Sequence, residues 1–167
     1  DWHALTGTPW LLRLQEGIRR PKTALLGRDV AGTVVAVGAK VAGLVVGDEV
    51  FGGVNGSLVE LAVGTERGLV RRPAGVSVAS AAATPIAGLT ALQALRDKGG
   101  LQAGQSVLIN GAAGGVGTFA VQIAVAMGAT VTGVCSTSNV ELVRSLGAHD
   151  VIDYTKDEIG ERQFDVI

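Results

Sequence analysis

Ser106-Val-Leu-Ile-Asn-Gly-Ala-Ala-Gly-Gly-Val-Gly117, followed by Thr118-Phe-Ala-Val-Gln-Ile-Ala124, decides how this chain is read. An apolar run of strand length, Ser106 to Asn110, meets a glycine cluster that opens a helical pattern reaching Met127. Strand, glycine turn and helix in immediate succession are what a dinucleotide-binding unit requires. Its glycines reverse the chain, bring backbone close to a diphosphate and let the helix pack on the strand, while free N–H groups at the helix start bind the phosphates. Gly114, Gly115, Val116 and Gly117 are therefore the candidate pyrophosphate cradle, and a side chain at Gly114 or Gly117 is expected to block the approach. The spacing is G-x-x-G-x-x-G, because Ala112 and Ala113 separate Gly111 from Gly114. That departs from G-x-G-x-x-G, and a purely structural glycine turn is the competing reading.

Two other nucleotide motifs fail on their residues. A phosphate-binding loop of the nucleotide-hydrolase kind places lysine and then Ser or Thr after its last glycine, whereas Gly117 is followed by Thr118 and Phe119. The Tyr-x-x-x-Lys pair of short-chain dehydrogenases is missing, since Glu158 stands four places after Tyr154.

Downstream, Ala129 to Cys135 reads as a strand, Asn139 to Leu146 as a helix, Asp150 to Tyr154 as a strand, and the segment at Phe164 as one more. Alternating strands and helices predict a parallel sheet with right-handed crossovers. An Asp or Glu about 20 residues after the turn would bind the ribose of NAD, but this chain has Cys135-Ser-Thr-Ser-Asn139 there. Small hydroxyl and amide groups accept a 2′-phosphate that a carboxylate would repel, which favours NADP(H), with NAD(H) left open. The same residues also suit an N-cap for the next helix.

Upstream the character changes. Ser77 to Pro85 and Ile86 to Lys98 read as helices, the second stopped by Gly99-Gly100. Before them, Val30 to Gly38 and shorter segments at 49–51, 57–63 and 68–72 read as strands between glycines, with a short helix over 11–20. Residues 1–84 are thus expected to form a compact β domain and 85–167 a nucleotide-binding α/β domain. Gln163 to Ile167 looks like a buried strand, so the sequence is expected to be part of a longer polypeptide, poorly active as an isolated stretch.

Composition narrows the function classes. Of the 167 residues 47% are apolar and 17% charged, with a net charge of −1, so the basic surface of a nucleic-acid binder is not expected. No apolar run reaches the roughly 20 residues of a membrane span. The single cysteine, Cys135, fits a reducing compartment such as the cytoplasm. His3, His149 and Cys135 show no metal-like spacing.

Taken together, Asp1-Trp-His3, Gly27-Arg-Asp-Val-Ala-Gly32, Gly47-Asp-Glu-Val-Phe-Gly52, Ala87-Gly-Leu-Thr-Ala91, the turn at 111–117 and Val151-Ile-Asp-Tyr154 resemble the medium-chain dehydrogenase/reductase superfamily, specifically its zinc-independent quinone oxidoreductase branch. The resemblance implies a chaperonin-10-like (GroES-like) β catalytic domain followed by the first half of a Rossmann doubly wound sheet, and a homodimer. It further implies Gly114, Gly115, Val116 and Gly117 at the pyrophosphate, Thr90 near the nicotinamide, and Ser136, Ser138, Asn139 and Tyr154 around the adenosine phosphate. Tyr154 has an equally good reading as a residue capping the core with its hydroxyl in water. Where zinc alcohol dehydrogenases carry a histidine ligand, Arg28 follows Gly27, so no zinc is expected. The implied activity is hydride transfer from NADP(H) to a quinone or α,β-unsaturated carbonyl. The alternatives are an enoyl reductase, another carbonyl or alcohol oxidoreductase, or a cofactor-binding protein without turnover. The resemblance marks no general acid.

Overall fold

The computed structural model describes residues 26–167 together with Thr6, Trp10 and Leu11. His3 and, Leu11 apart, the helix expected over 11–20 lie outside the described residues. The chain divides into two compact units, Asp1–Ile86 and Ala87–Ile167.

In the first unit, β1 (Asp29–Thr33), β2 (Glu49–Gly53) and β3 (Leu69–Arg71) form an antiparallel sheet in that order. Ala31 faces Phe51 and Phe51 faces Val70 across the ladder. The strand expected over 30–38 ends as regular structure at Thr33. Val34 extends the pairing by one residue, donating to Asp48 O (2.9 Å) and accepting from Gly47 N–H (2.8 Å). Beyond it Val35 and Val37 are exposed, so no buried face sustains the alternation.

The strand expected over 57–63 does not form. Gly56 and Ser57 both donate to Gly27 O, at 2.9 and 3.2 Å, and Gly56 adopts φ +78°, which folds the chain back instead of extending it. Leu61 and Val63 are left exposed. Next, α1 (Val78–Ala83) starts where Ser77 Oγ accepts from Ser80 N–H at 3.0 Å. A second helix, α2 (Pro85–Leu92), begins with proline, and Asp29 of β1 accepts the following amide, Ile86 N–H, at 3.0 Å. Asp29 is thus a helix cap, a role its sequence context does not announce.

The second unit continues from α2 through a π-helical turn, Gln93–Lys98, released by Gly100 at φ +60°. There follow β4 (Ser106–Asn110), α3 (Gly115–Ala126), β5 (Thr130–Cys135), a 3-10 turn (Thr137–Asn139), α4 (Val140–Ser145) and β6 (Asp150–Asp153). The three strands are parallel in the order β4-β5-β6, and Val166 bridges to Val107 in parallel as well. Chain order therefore runs from β4 out to β6 and returns to β4 at Val166. That reversal is the switch point of a doubly wound sheet, and ligands of such sheets bind beyond the carboxyl ends of the strands there. Val107, Val121, Val131 and Val143 are fully buried, joining both strands and both helices in one core. Gly133 permits the close fit: a Cβ there would lie 2.6 Å from Val143 Cγ1 and 3.0 Å from Ala112 Cβ.

Candidate nucleotide site

The turn after β4 is built by its glycines in different ways. Gly111 adopts φ +69°, a left-handed conformation that suits glycine. Ala112 N–H donates to Val134 O (3.0 Å) and Gly114 N–H to Gly111 O (2.8 Å), which ties the turn to β5 and closes it. Gly114 is extended and precedes α3 without any side-chain cap. The helix makes its first bond when Thr118 N–H reaches Gly114 O at 2.9 Å, so the amides of Gly115, Val116 and Gly117 precede the hydrogen-bonded ladder.

Gly117 packs its Cα face against the turn while its amide stays at the helix start. It is buried, and a Cβ on it would lie 2.8 Å from Ala112 Cα and closer still to Gly111 O, so its role is to seat α3 on the turn. Gly114 is exposed and less confined, a Cβ there meeting Gly111 O alone at 3.2 Å. Gly115 is open at the helix start: a Cβ there would meet nothing within 4 Å. Three uncapped amides at the positive end of a twelve-residue helix, beside a glycine facing open space, fit the diphosphate of a dinucleotide.

Beyond β5 and β6 the chain gathers a polar cluster. Ser136 Oγ and Ser138 Oγ lie 3.3 Å apart, and Asn139 Nδ2 donates to Ser136 Oγ at 3.1 Å, so three expected residues do come together. Tyr154 N–H donates to Cys135 O at 3.1 Å, which places Tyr154 beside the same loop with its side chain exposed. The centre of the cluster is Asp153, which sequence reasoning missed. It is buried, its Oδ2 accepts from Thr137 Oγ1 (2.5 Å), and its Oδ1 accepts from the Thr155 hydroxyl (2.7 Å) and N–H (3.0 Å). Lys156 Nζ lies 3.6 Å from Oδ2. The Thr137 hydroxyl above all, then Thr155 and the Lys156 charge, hold the Asp153 carboxyl down to about 2, against the opposing effect of burial. The available signal was polar residues directly after two apolar strands. What joins them is the register pairing Cys135 with Asp153, which sequence periodicity does not reveal.

Thr90 is exposed on α2, a separate element from these loops, while its neighbour Ala91 is fully buried in the core that contains Ala112 and Val121. The described metal-binding side chains have structural tasks. Burial pushes the Cys135 thiol up, with the Asp153 charge adding to it, and His149 Nδ1 accepts from Val131 N–H at 3.2 Å. Among the described residues no three His, Cys, Asp or Glu side chains gather as a metal site. Also among the described residues, no helix is long and apolar enough to cross a membrane. In the first unit, Arg28, Asn55 and Thr65 line a cavity of about 390 Å³ with Val54, Val63 and Ile86.

Comparison with known proteins bears on the same two regions. A family model described as the alcohol dehydrogenase GroES-like domain matches residues 1–74, and one described as zinc-binding dehydrogenase matches 115–167. A chloroplast envelope quinone oxidoreductase homolog of Arabidopsis thaliana is 43% identical over 162 residues, covering 87% of this chain and 49% of its own length. The trans-enoyl reductase pgmF of Aspergillus terreus is 42% identical over 161 residues, covering 90% of this chain and 44% of its own. The crystal structure of Escherichia coli quinone oxidoreductase complexed with NADPH matches with a TM-score of 0.78 at 29% identity, over 90% of this chain and 48% of that one. The chain thus spans less than half the length of each. With a GroES-like match before a parallel nucleotide-binding sheet, and relatives of this kind in both sequence and structure, the chain belongs to the medium-chain dehydrogenase/reductase superfamily and is quinone oxidoreductase-like within it.

Proposed function

We propose that this chain belongs to a zinc-independent oxidoreductase that transfers hydride from NADP(H) to a quinone or an α,β-unsaturated carbonyl. The observation that carries the reading is the uncapped start of α3, with Gly115 facing open space at the switch point of the sheet. When bound, the nicotinamide supplies the hydride. The chain's own contribution is to hold and orient: the amides of Gly115, Val116 and Gly117 take the diphosphate, and the Ser136, Ser138, Asn139 and Tyr154 cluster takes the adenosine 2′-phosphate. Thr90 on α2 is assigned to the nicotinamide end. Holding donor and acceptor together while excluding water is the main requirement for hydride transfer to an already electron-poor carbon.

Zinc independence is supported by Arg28 after Gly27 and by the structural engagement of Cys135 and His149. The named activities of the relatives favour a conjugated acceptor, and the similarity to a trans-enoyl reductase supports an enoyl substrate as the second reading. The partner is a small-molecule electron acceptor, with no nucleic acid and no membrane, and the assembly a homodimer. A cytoplasmic location is in keeping with a single free, buried cysteine.

The test is NADPH oxidation by the purified protein carrying this chain, with a 1,2-quinone and an enone as acceptors. Turnover with either supports an oxidoreductase, and preference between them separates the two readings. Tight coenzyme binding without oxidation by any acceptor refutes catalysis.

A further inference from the structure

We propose that Lys156, held at the carboxyl edge of the sheet by Asp153, is the cation that selects a 2′-phosphorylated coenzyme over its unphosphorylated counterpart. This inference rests on the NADP(H) reading above. The loop after β5 offers hydroxyls and an amide, yet residues 136–139 include no cation, and an ammonium beside them would add charge attraction that distinguishes a 2′-phosphate from a bare 2′-hydroxyl.

The loop after β6 supplies it. Lys156 N–H donates to Asp153 O at 2.9 Å, closing a turn that returns the side chain toward the strand end. Its ammonium then pairs at 3.6 Å with Oδ2, the same oxygen that accepts from Thr137, while 64% of the lysine side chain stays exposed. Thr137 lies between Ser136 and Ser138, so the charge is fixed beside the hydroxyl cluster. One such pairing leaves donors of a three-donor ammonium for an incoming phosphate.

Asp153 is a positioning residue in this scheme. Its carboxylate does not replace the missing ribose-binding acid, because it is buried and engaged by Thr137 and Lys156 at one oxygen and by the Thr155 hydroxyl and N–H at the other. An ionised carboxylate this close to a phosphate would oppose binding. The threonine hydroxyls directed at it and the lysine charge offset that opposition.

The experiment measures dissociation constants of the purified protein for NADPH and NADH, and for the fragments 2′,5′-ADP and 5′-AMP, in wild type, Lys156→Ala and Lys156→Arg. We expect Lys156→Ala to weaken NADPH and 2′,5′-ADP about 10- to 100-fold, with NADH and 5′-AMP unchanged and Lys156→Arg close to wild type. An unchanged NADPH to NADH ratio, or equal loss of both coenzymes, overturns the assignment. Wild type that binds NADH as tightly as NADPH overturns it too but leaves the nucleotide site standing. Binding of neither coenzyme removes the underlying reading itself.

Discussion

Thr137 donates its hydroxyl to Asp153 across 2.5 Å, linking the loops that leave two adjacent parallel strands. Sequence places these residues 16 apart, and the β5–β6 register brings them together. Because the folded carboxyl is held at about 2 and its ordinary value is 3.8, its contribution to stability is complete above roughly pH 4 and is lost as pH falls toward 2. Asp153→Asn is expected to destabilise the protein at neutral pH and to flatten this part of the acid profile. Chemical denaturation from pH 5 to 2 checks it, and parallel wild-type and variant profiles would contradict it.

Gly117 is expected to be a folding residue. Alanine there would overlap Gly111 O and approach Ala112 Cα to 2.8 Å, both backbone atoms that yield only if the turn shifts. Gly117→Ala should cost about 3 kcal/mol in urea denaturation. Unchanged stability would mean that the turn relaxes freely.

Asp165 secures the outer side of β4. Its Oδ2 accepts from both the N–H and the hydroxyl of Ser106 at 2.7 Å, and these bonds hold the carboxyl below its ordinary value. Asp165→Ala is expected to speed hydrogen exchange at the Ser106 amide while leaving β5 amides protected. Uniform acceleration across the sheet would show instead that the contact supports the whole unit.

Chelation bears on the metal. Extended treatment with a strong chelator is expected to leave NADPH-dependent turnover within error of untreated protein. Loss of activity restored by Zn²⁺ would refute zinc independence.

The nucleotide half was largely legible because its signals are local. β4 forms over the expected residues, and α3 and β5 begin or end within a residue of the reading, since apolar runs and glycine breaks mark them directly. The β half was less so: 57–63 has a strand-like composition, but bonds to Gly27 and Leu26, distant in sequence, take its backbone elsewhere. Within the site, the glycine cluster could be found from spacing alone. Which glycine packs and which opens could not, because that depends on whether Gly111 and Ala112 or empty space lies opposite each Cβ. Asp153 escaped notice for a similar reason, as Thr137 reaches it from the turn after the neighbouring strand, and the task of Lys156 follows from Asp153.

The central claim is that bare amides at the start of α3 hold the coenzyme diphosphate, and Gly115 offers the cleanest test because a Cβ there meets no protein atom within 4 Å. Calorimetric titration of NADPH into wild type and Gly115→Leu, with thermal melting as a control, measures it directly. Unchanged melting with at least about tenfold weaker NADPH binding is the predicted result. Equal affinity in the two proteins would contradict it.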